Sequence, residues 1–107
     1  MQQDTECILC RISGGEEPSQ VILDSENYLA VYNDFTRYNY DVIILPKEHI
    51  NQIKNISNIS NYFKFILDVL VVLLDTINYD SVKIEFKNRR EYNNIITHTY
   101  CHIIPNH

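Results

Sequence analysis

Cys7 and Cys10 are separated by two residues, the spacing of a redox dithiol or of half a zinc site. A redox dithiol calls for a preceding strand and a βαβ setting, whereas this pair lies at the start of the chain. Zinc calls for two further ligands, and His49, His98, His102 and His107 offer imidazoles. Two cysteines with two distant histidines do not have the spacing of a finger. Reduced cysteines packed into a small core are the alternative reading.

The second group that could do chemistry is His98-Thr99-Tyr100-Cys101-His102. Side chains alternate along a strand, so His98, Tyr100 and His102 would share one face with neighbours about 6.6 Å apart. Thr99, Cys101 and Ile103 would take the other face. Three polar rings on one face are costly to bury without partners. The choice lies between a functional face and an exposed edge strand with incidental histidines.

Both groups depend on the elements that carry them. Cys7-Ile8-Leu9-Cys10-Arg11-Ile12 reads as a helical turn, closed by Ser13-Gly14-Gly15 and Pro18-Ser19. Val21-Ile22-Leu23 and Tyr28-Leu29-Ala30-Val31-Tyr32 are β-type runs on either side of the polar cluster Asp24-Ser25-Glu26-Asn27, as in two strands joined by a turn. Val42-Ile43-Ile44-Leu45 is a continuous apolar run stopped by Pro46, expected of a central strand covered on both faces.

A long helix is expected next, capped by Ser57 or Ser60 and running to about Ile77. Ile59, Phe63, Ile66, Val69, Leu70, Leu73, Leu74 and Ile77 recur in it at steps of three and four. Val71 and Val72 add apolar side chains beyond one stripe, which suits a core helix or one that also lines a dimer interface. Ser81-Val82-Lys83-Ile84-Glu85-Phe86 alternates as a half-buried strand does. Residues 88–94 read as a polar loop, and residues 95–104 as the last strand, ended by Pro105. Three strands, a long helix and two strands with short connections predict an α+β antiparallel sheet of about five strands rather than βαβ units.

The chain has 107 residues, enough for one domain spanning 1–107 but not for two cores. Hydrophobic residues make up 45% and charged residues 21%, a globular balance that argues against disorder. The net charge of −5 opposes an extended nucleic-acid surface, which needs Lys and Arg to neutralise phosphates. Only Gly14 and Gly15 are glycines, so no glycine-rich phosphate loop can be written. The polar start Met1-Gln2-Gln3-Asp4 has no signal-peptide pattern, and the longest apolar run, broken by Asp68, is far short of the roughly 20 residues of a membrane span. A soluble cytoplasmic protein without a membrane partner is expected, and three cysteines suit a reducing compartment.

Taken together, these segments resemble the histidine-triad (HIT) proteins, small nucleotide hydrolases and transferases, and in particular their zinc-containing bacterial-type branch. The resemblance rests on Cys7-Ile8-Leu9-Cys10-Arg11-Ile12 with Gly15-Glu16 and Pro18-Ser19, on Leu29-Ala30, on Leu45-Pro46-Lys47-Glu48-His49-Ile50, and on His98 to Pro105, where the triad strand H-x-H-x-H would lie. It implies structural zinc held by Cys7, Cys10, His49 and His98, a purine nucleotide as ligand, and a homodimer.

The same resemblance marks where this chain departs from the family. The middle triad histidine, which attacks the α-phosphorus, falls on Tyr100, with His102 as the third member. A neutral imidazole is a ready nucleophile near pH 7, whereas an ordinary phenol is only about one part in a thousand ionised there. The ribose-binding aspartate falls on Asn33, and the glycine-histidine pair before the central strand falls on Tyr40 and Asp41. The glycine-rich phosphate segment falls on residues 89–95, where no glycine remains. Asn88 matches a family asparagine, while the glutamine and serine positions are Asn94 and Ile95. Arg89 and Arg90 supply guanidinium groups able to grip phosphate or to sit solvated in a loop. Complete zinc ligands beside an altered reaction centre imply a weakly active or inactive nucleotide hydrolase that retains nucleotide binding. The alternatives are an enzyme using Tyr100 with His102, and a protein-interaction module built on the apolar helix.

Overall fold

The computed structural model describes residues 7–16, 19–32, 41–76, 80–87 and 98–106. Within them the chain forms α1 (Ile8–Ser13), β1 (Val21–Asp24), β2 (Tyr28–Tyr32), β3 (Val42–Pro46), a 3₁₀ turn (Ile53–Asn55), α2 (Ile59–Thr76), β4 (Ser81–Lys87) and β5 (Tyr100–Asn106). The sheet order is β1-β2-β3-β5-β4, and every neighbouring pair is antiparallel. This is the expected α+β architecture with five strands and one long helix.

The sheet divides the protein into two apolar layers. On one side Tyr62, Phe65, Ile66, Val69 and Leu73 of α2 pack with Ala30, Val42, Ile44, Cys101 and Ile103. On the other, Leu29, Val31 and Leu45 pack with Cys7, Leu9 and Cys10 of the N-terminal turn. Strand β2 is covered on both faces, as its burial from Tyr28 to Val31 shows. The buried Tyr62 hydroxyl donates to the Ile44 carbonyl at 2.7 Å, tying helix to sheet.

The face of α2 differs from the expected stripe. Tyr62 and Phe65 are buried, whereas Ile59, Phe63 and Leu74 are exposed together with Leu67, Val71 and Val72. The helix starts at Ile59, so Ser60 is already inside it and Ser57 is too early to cap it; Asn58 precedes it with φ of 58°. That positive φ is one that Asn tolerates. Ile77 lies outside the described residues.

Two strands also differ from expectation. Ile84 and Phe86 of β4 are exposed, because β4 is an edge strand that α2 covers incompletely; the Phe63 and Phe86 rings meet at a tilt, 5.4 Å apart, on this open side. Pro105 does not end β5, which continues to Asn106. The β3 ladder reaches only Ile103, so Pro105 is paired on the β4 side alone, opposite Val82. A missing N–H is tolerated where one side of a strand is unpaired. Among the described residues β5 begins at Tyr100, so His98 and Thr99 precede it; residues 95–97 lie outside them.

Leu73 is fully buried beneath the sheet. Leu73→Ala should cost about 3 kcal/mol by leaving a cavity, read as a lower urea midpoint at unchanged slope. A loss under about 1 kcal/mol would contradict this helix packing.

Candidate functional site

Cys7 caps α1: its extended backbone precedes the helix, and the Cys10 amide donates to its Sγ at 3.4 Å. One turn of helix therefore places Cys7 and Cys10 on one side. His49 follows the end of β3, and Ser13 Oγ donates to the Lys47 carbonyl at 3.3 Å, drawing α1 onto that segment. His98 is fixed from the far end of the chain. Its ring pairs Nε2 with the Pro46 carbonyl at 2.8 Å, and the next residue's amide donates to the Ile50 carbonyl at 2.6 Å.

A carbonyl can only accept, so His98 Nε2 carries the proton and Nδ1 keeps a lone pair. That lone pair faces the sulfurs of Cys7 and Cys10, each at 3.5 Å. His49 Nδ1 is 3.1 Å from the Cys10 sulfur, and the two imidazoles meet edge to face at 5.1 Å. All four ligand atoms lie within 4.8 Å of one another. Bond lengths for tetrahedral zinc place its S and N ligands about 3.3–3.8 Å apart, close to the spacings observed. The donor set and its convergence are compatible with a metal site.

Electrostatics agree with that fit. Burial pushes the His98 imidazole down to about 4, and His49 beside it adds to the shift, while the bond to Pro46 opposes it. His98 is therefore neutral near pH 7, the form a metal requires. The carbonyl that orients it plays the supporting part usual for ligand histidines. Cys101, the third cysteine, stands apart in the helix-side core, and burial pushes its thiol up to about 12. Such a thiol is inert.

The face that carries His98 continues along β5 with Tyr100 and His102. Tyr100 is half-buried and packs against the cluster of Cys7, Cys10, Leu29, Val31 and Leu45. His102 lies opposite Ile43 on β3 and Glu85 on β4. Its Nε2 is 3.0 Å from Oδ2 of Asp41, whose side chain is wholly buried. The pair is in contact but off the axis of a well-formed hydrogen bond. On β4, Lys83 and Lys87 hold Glu85 at 2.7 and 2.9 Å, and their hydrogen bonds and charges bring its carboxyl down to about 2.

The structure thus brings Cys7, Cys10, His49 and His98 together and carries Tyr100 and His102 on one strand. Asn33, Asn88, Arg89, Arg90 and Asn94 lie outside the described residues, as do Tyr40, Ile95 and His107. The resemblance marked Asp41 as an altered position of the family's glycine-histidine pair, but neither residue type nor spacing signalled its contact with His102. The Lys83–Glu85–Lys87 row was legible only as the polar half of an alternating strand.

The HIT domain family model matches residues 14–107. The chain belongs to the HIT family. Over 101 residues this HIT chain is 29% identical to an uncharacterised HIT-like protein of Methanocaldococcus jannaschii, covering 92% of this chain and 78% of that one. A solved HIT-family protein from Bacillus subtilis superposes with a TM-score of 0.81 at 22% identity, covering 94% of this chain and 72% of that one. A histidine triad nucleotide-binding protein from Candida albicans gives 0.72 at 27% identity, with 94% and 74% covered. Among the described residues, no helix of this HIT chain is long and apolar enough to cross a membrane.

Proposed function

We propose that residues 1–107 form one zinc-stabilised HIT domain that binds a purine nucleotide and cleaves bonds at its α-phosphate weakly or not at all. Cys7, Cys10, His49 and His98 would hold the zinc. When bound, the ion supplies folding energy by pinning the N-terminal turn to the sheet, since four protein ligands leave no open position for chemistry. The observation that carries the functional reading is Tyr100, which stands at the family's nucleophile position and packs into the apolar N-terminal cluster. Its ring does the work of volume there. Binding is supported by the family membership and by the nucleotide-binding Candida albicans relative. Asn33, Asn88, Arg89 and Asn94 are the proposed nucleotide contacts.

A second reading, in which Tyr100 is a nucleophile or acid partnered by His102, draws on the contact between His102 and a buried carboxylate. A homodimer in the cytoplasm is also proposed, through the apolar surface of Phe63, Leu67, Val71, Ile84 and Phe86. A long exposed apolar surface beside an open strand edge is typical of such interfaces. The same surface could serve an interaction module.

The test is to incubate the pure protein with adenosine phosphoramidate and dinucleoside polyphosphates and, in parallel, to titrate it with AMP by calorimetry. Losing a nucleophile typically costs about 10⁴-fold or more, so binding with turnover reduced on that order relative to an ordinary family member is expected. Turnover at ordinary family rates, abolished by Tyr100→Phe and His102→Ala, would favour the second reading. An adduct on Tyr100 detected by mass spectrometry would do the same. Absence of AMP binding would remove the nucleotide reading.

A further inference from the structure

We propose that Asp41 is a positioning residue for His102, holding the ring's Nε2–H so that Nδ1 is the proton-accepting atom offered to a ligand on the triad face. This rests on reading that face as the ligand-binding one. Asp41 immediately precedes β3, two residues before Ile43, and Ile43 is the register partner of His102. The topology therefore puts the carboxylate beside the ring. Asp41 Oδ2 lies 3.0 Å from His102 Nε2, with the Asp41 side chain fully buried. Both Asp41 oxygens and Nε2 are shielded from solvent.

At that distance an unprotonated Nε2 would set its lone pair against those of a carboxylate in a poorly solvated place. A proton between the two atoms removes that repulsion. The ring keeps a side-chain exposure of 14%, and Nε2 contributes none of it. Nδ1 is the ring's other nitrogen, so polar contact with a ligand falls to it. A carboxylate on one imidazole nitrogen fixes the tautomer and makes the other nitrogen an acceptor, as in acid–base dyads generally. The ligand groups it would take are hydrogen donors: a ribose or other sugar hydroxyl, an amine, or a water.

The experiment is long-range ¹H–¹⁵N NMR of the uniformly labelled full chain, with and without AMP. His102 is expected as the Nε2–H tautomer, with an Nε2 proton slow to exchange with water and with Nδ1 unprotonated. Asp41→Asn retains an accepting oxygen, so the same tautomer should persist with its proton shifted upfield. Asp41→Val should make that proton exchange too fast to see. Amide fingerprints of the variants establish that each is folded. An Nδ1–H tautomer of His102 in the parent chain, an Nε2 left unprotonated by a protonated Asp41, or an Nε2–H signal unmoved in both variants would overturn the proposal. Adding AMP separates the two readings. A shift at Nδ1 supports both, whereas no response to AMP with the tautomer as expected removes nucleotide binding and leaves the dyad standing.

Discussion

Chelating the proposed zinc should abolish cooperative folding near neutral pH. Structural zinc contributes on the order of 10 kcal/mol in small systems, comparable with the whole stability of about 5–15 kcal/mol of a native domain. The four proposed ligands come from the cap and first turn of α1, from the segment after β3, and from the residues leading into β5. Without a central ion, α1 keeps a small apolar contact with the sheet and the Ser13–Lys47 hydrogen bond, far less than the ion would supply. Cys10→Ser should behave like chelator, because the Cys10 sulfur touches both imidazoles. Cys101→Ser is the control: equally buried but remote from the cluster, it should cost only about 1–2 kcal/mol. Circular dichroism melts with and without chelator would read all three. An unchanged melt after exhaustive chelation, or equal losses at Cys10 and Cys101, would count against the metal centre.

Alkaline pH should produce the second large loss. Burial raises the Cys101 thiol from 9.0 to about 12, and burial raises the Tyr62 phenol in the same direction. The native state keeps these protons while the unfolded chain gives them up. Stability from Cys101 is therefore fully present below pH 9 and lost progressively as pH rises from 9 through about 12. Each pKa unit is worth about 1.4 kcal/mol, so the full loss is on the order of 4 kcal/mol. Urea unfolding at intervals between pH 8 and 12 would measure it, and Cys101→Ala, which has no proton to lose, should flatten the decline. Identical profiles for the two proteins would contradict the burial of this thiol.

Much of the sheet was legible because its strands carry strong local signals. Tyr28 to Tyr32 and Val42 to Leu45 are unbroken β-type runs, and both form strands buried on two faces. The helix was legible in type and span, yet its face was not. Apolar residues surround α2 at too many positions for spacing to choose between Phe63, which is exposed, and Phe65, which is buried. Which of them goes inward depends on where the sheet lies, and that is long-range information. Pro105 misled for a related reason. It stops a strand only where its nitrogen must donate, and β5 runs past the end of β3 at that point.

The candidate site divides along the same line. The CxxC spacing announced metal or redox chemistry, and the family resemblance supplied the two histidines that sit with it in the structure. The atoms that orient those ligands are backbone carbonyls such as that of Pro46, which no residue type advertises. The contact between Asp41 and His102 arises only when β3 and β5 are set side by side.

Elemental analysis of the full chain, purified without chelator and checked for native circular dichroism, tests the metal centre most directly. About one zinc per chain is expected, with two sulfur and two nitrogen neighbours in X-ray absorption and loss of the metal in Cys10→Ser. Natively folded protein carrying no stoichiometric metal would contradict the account.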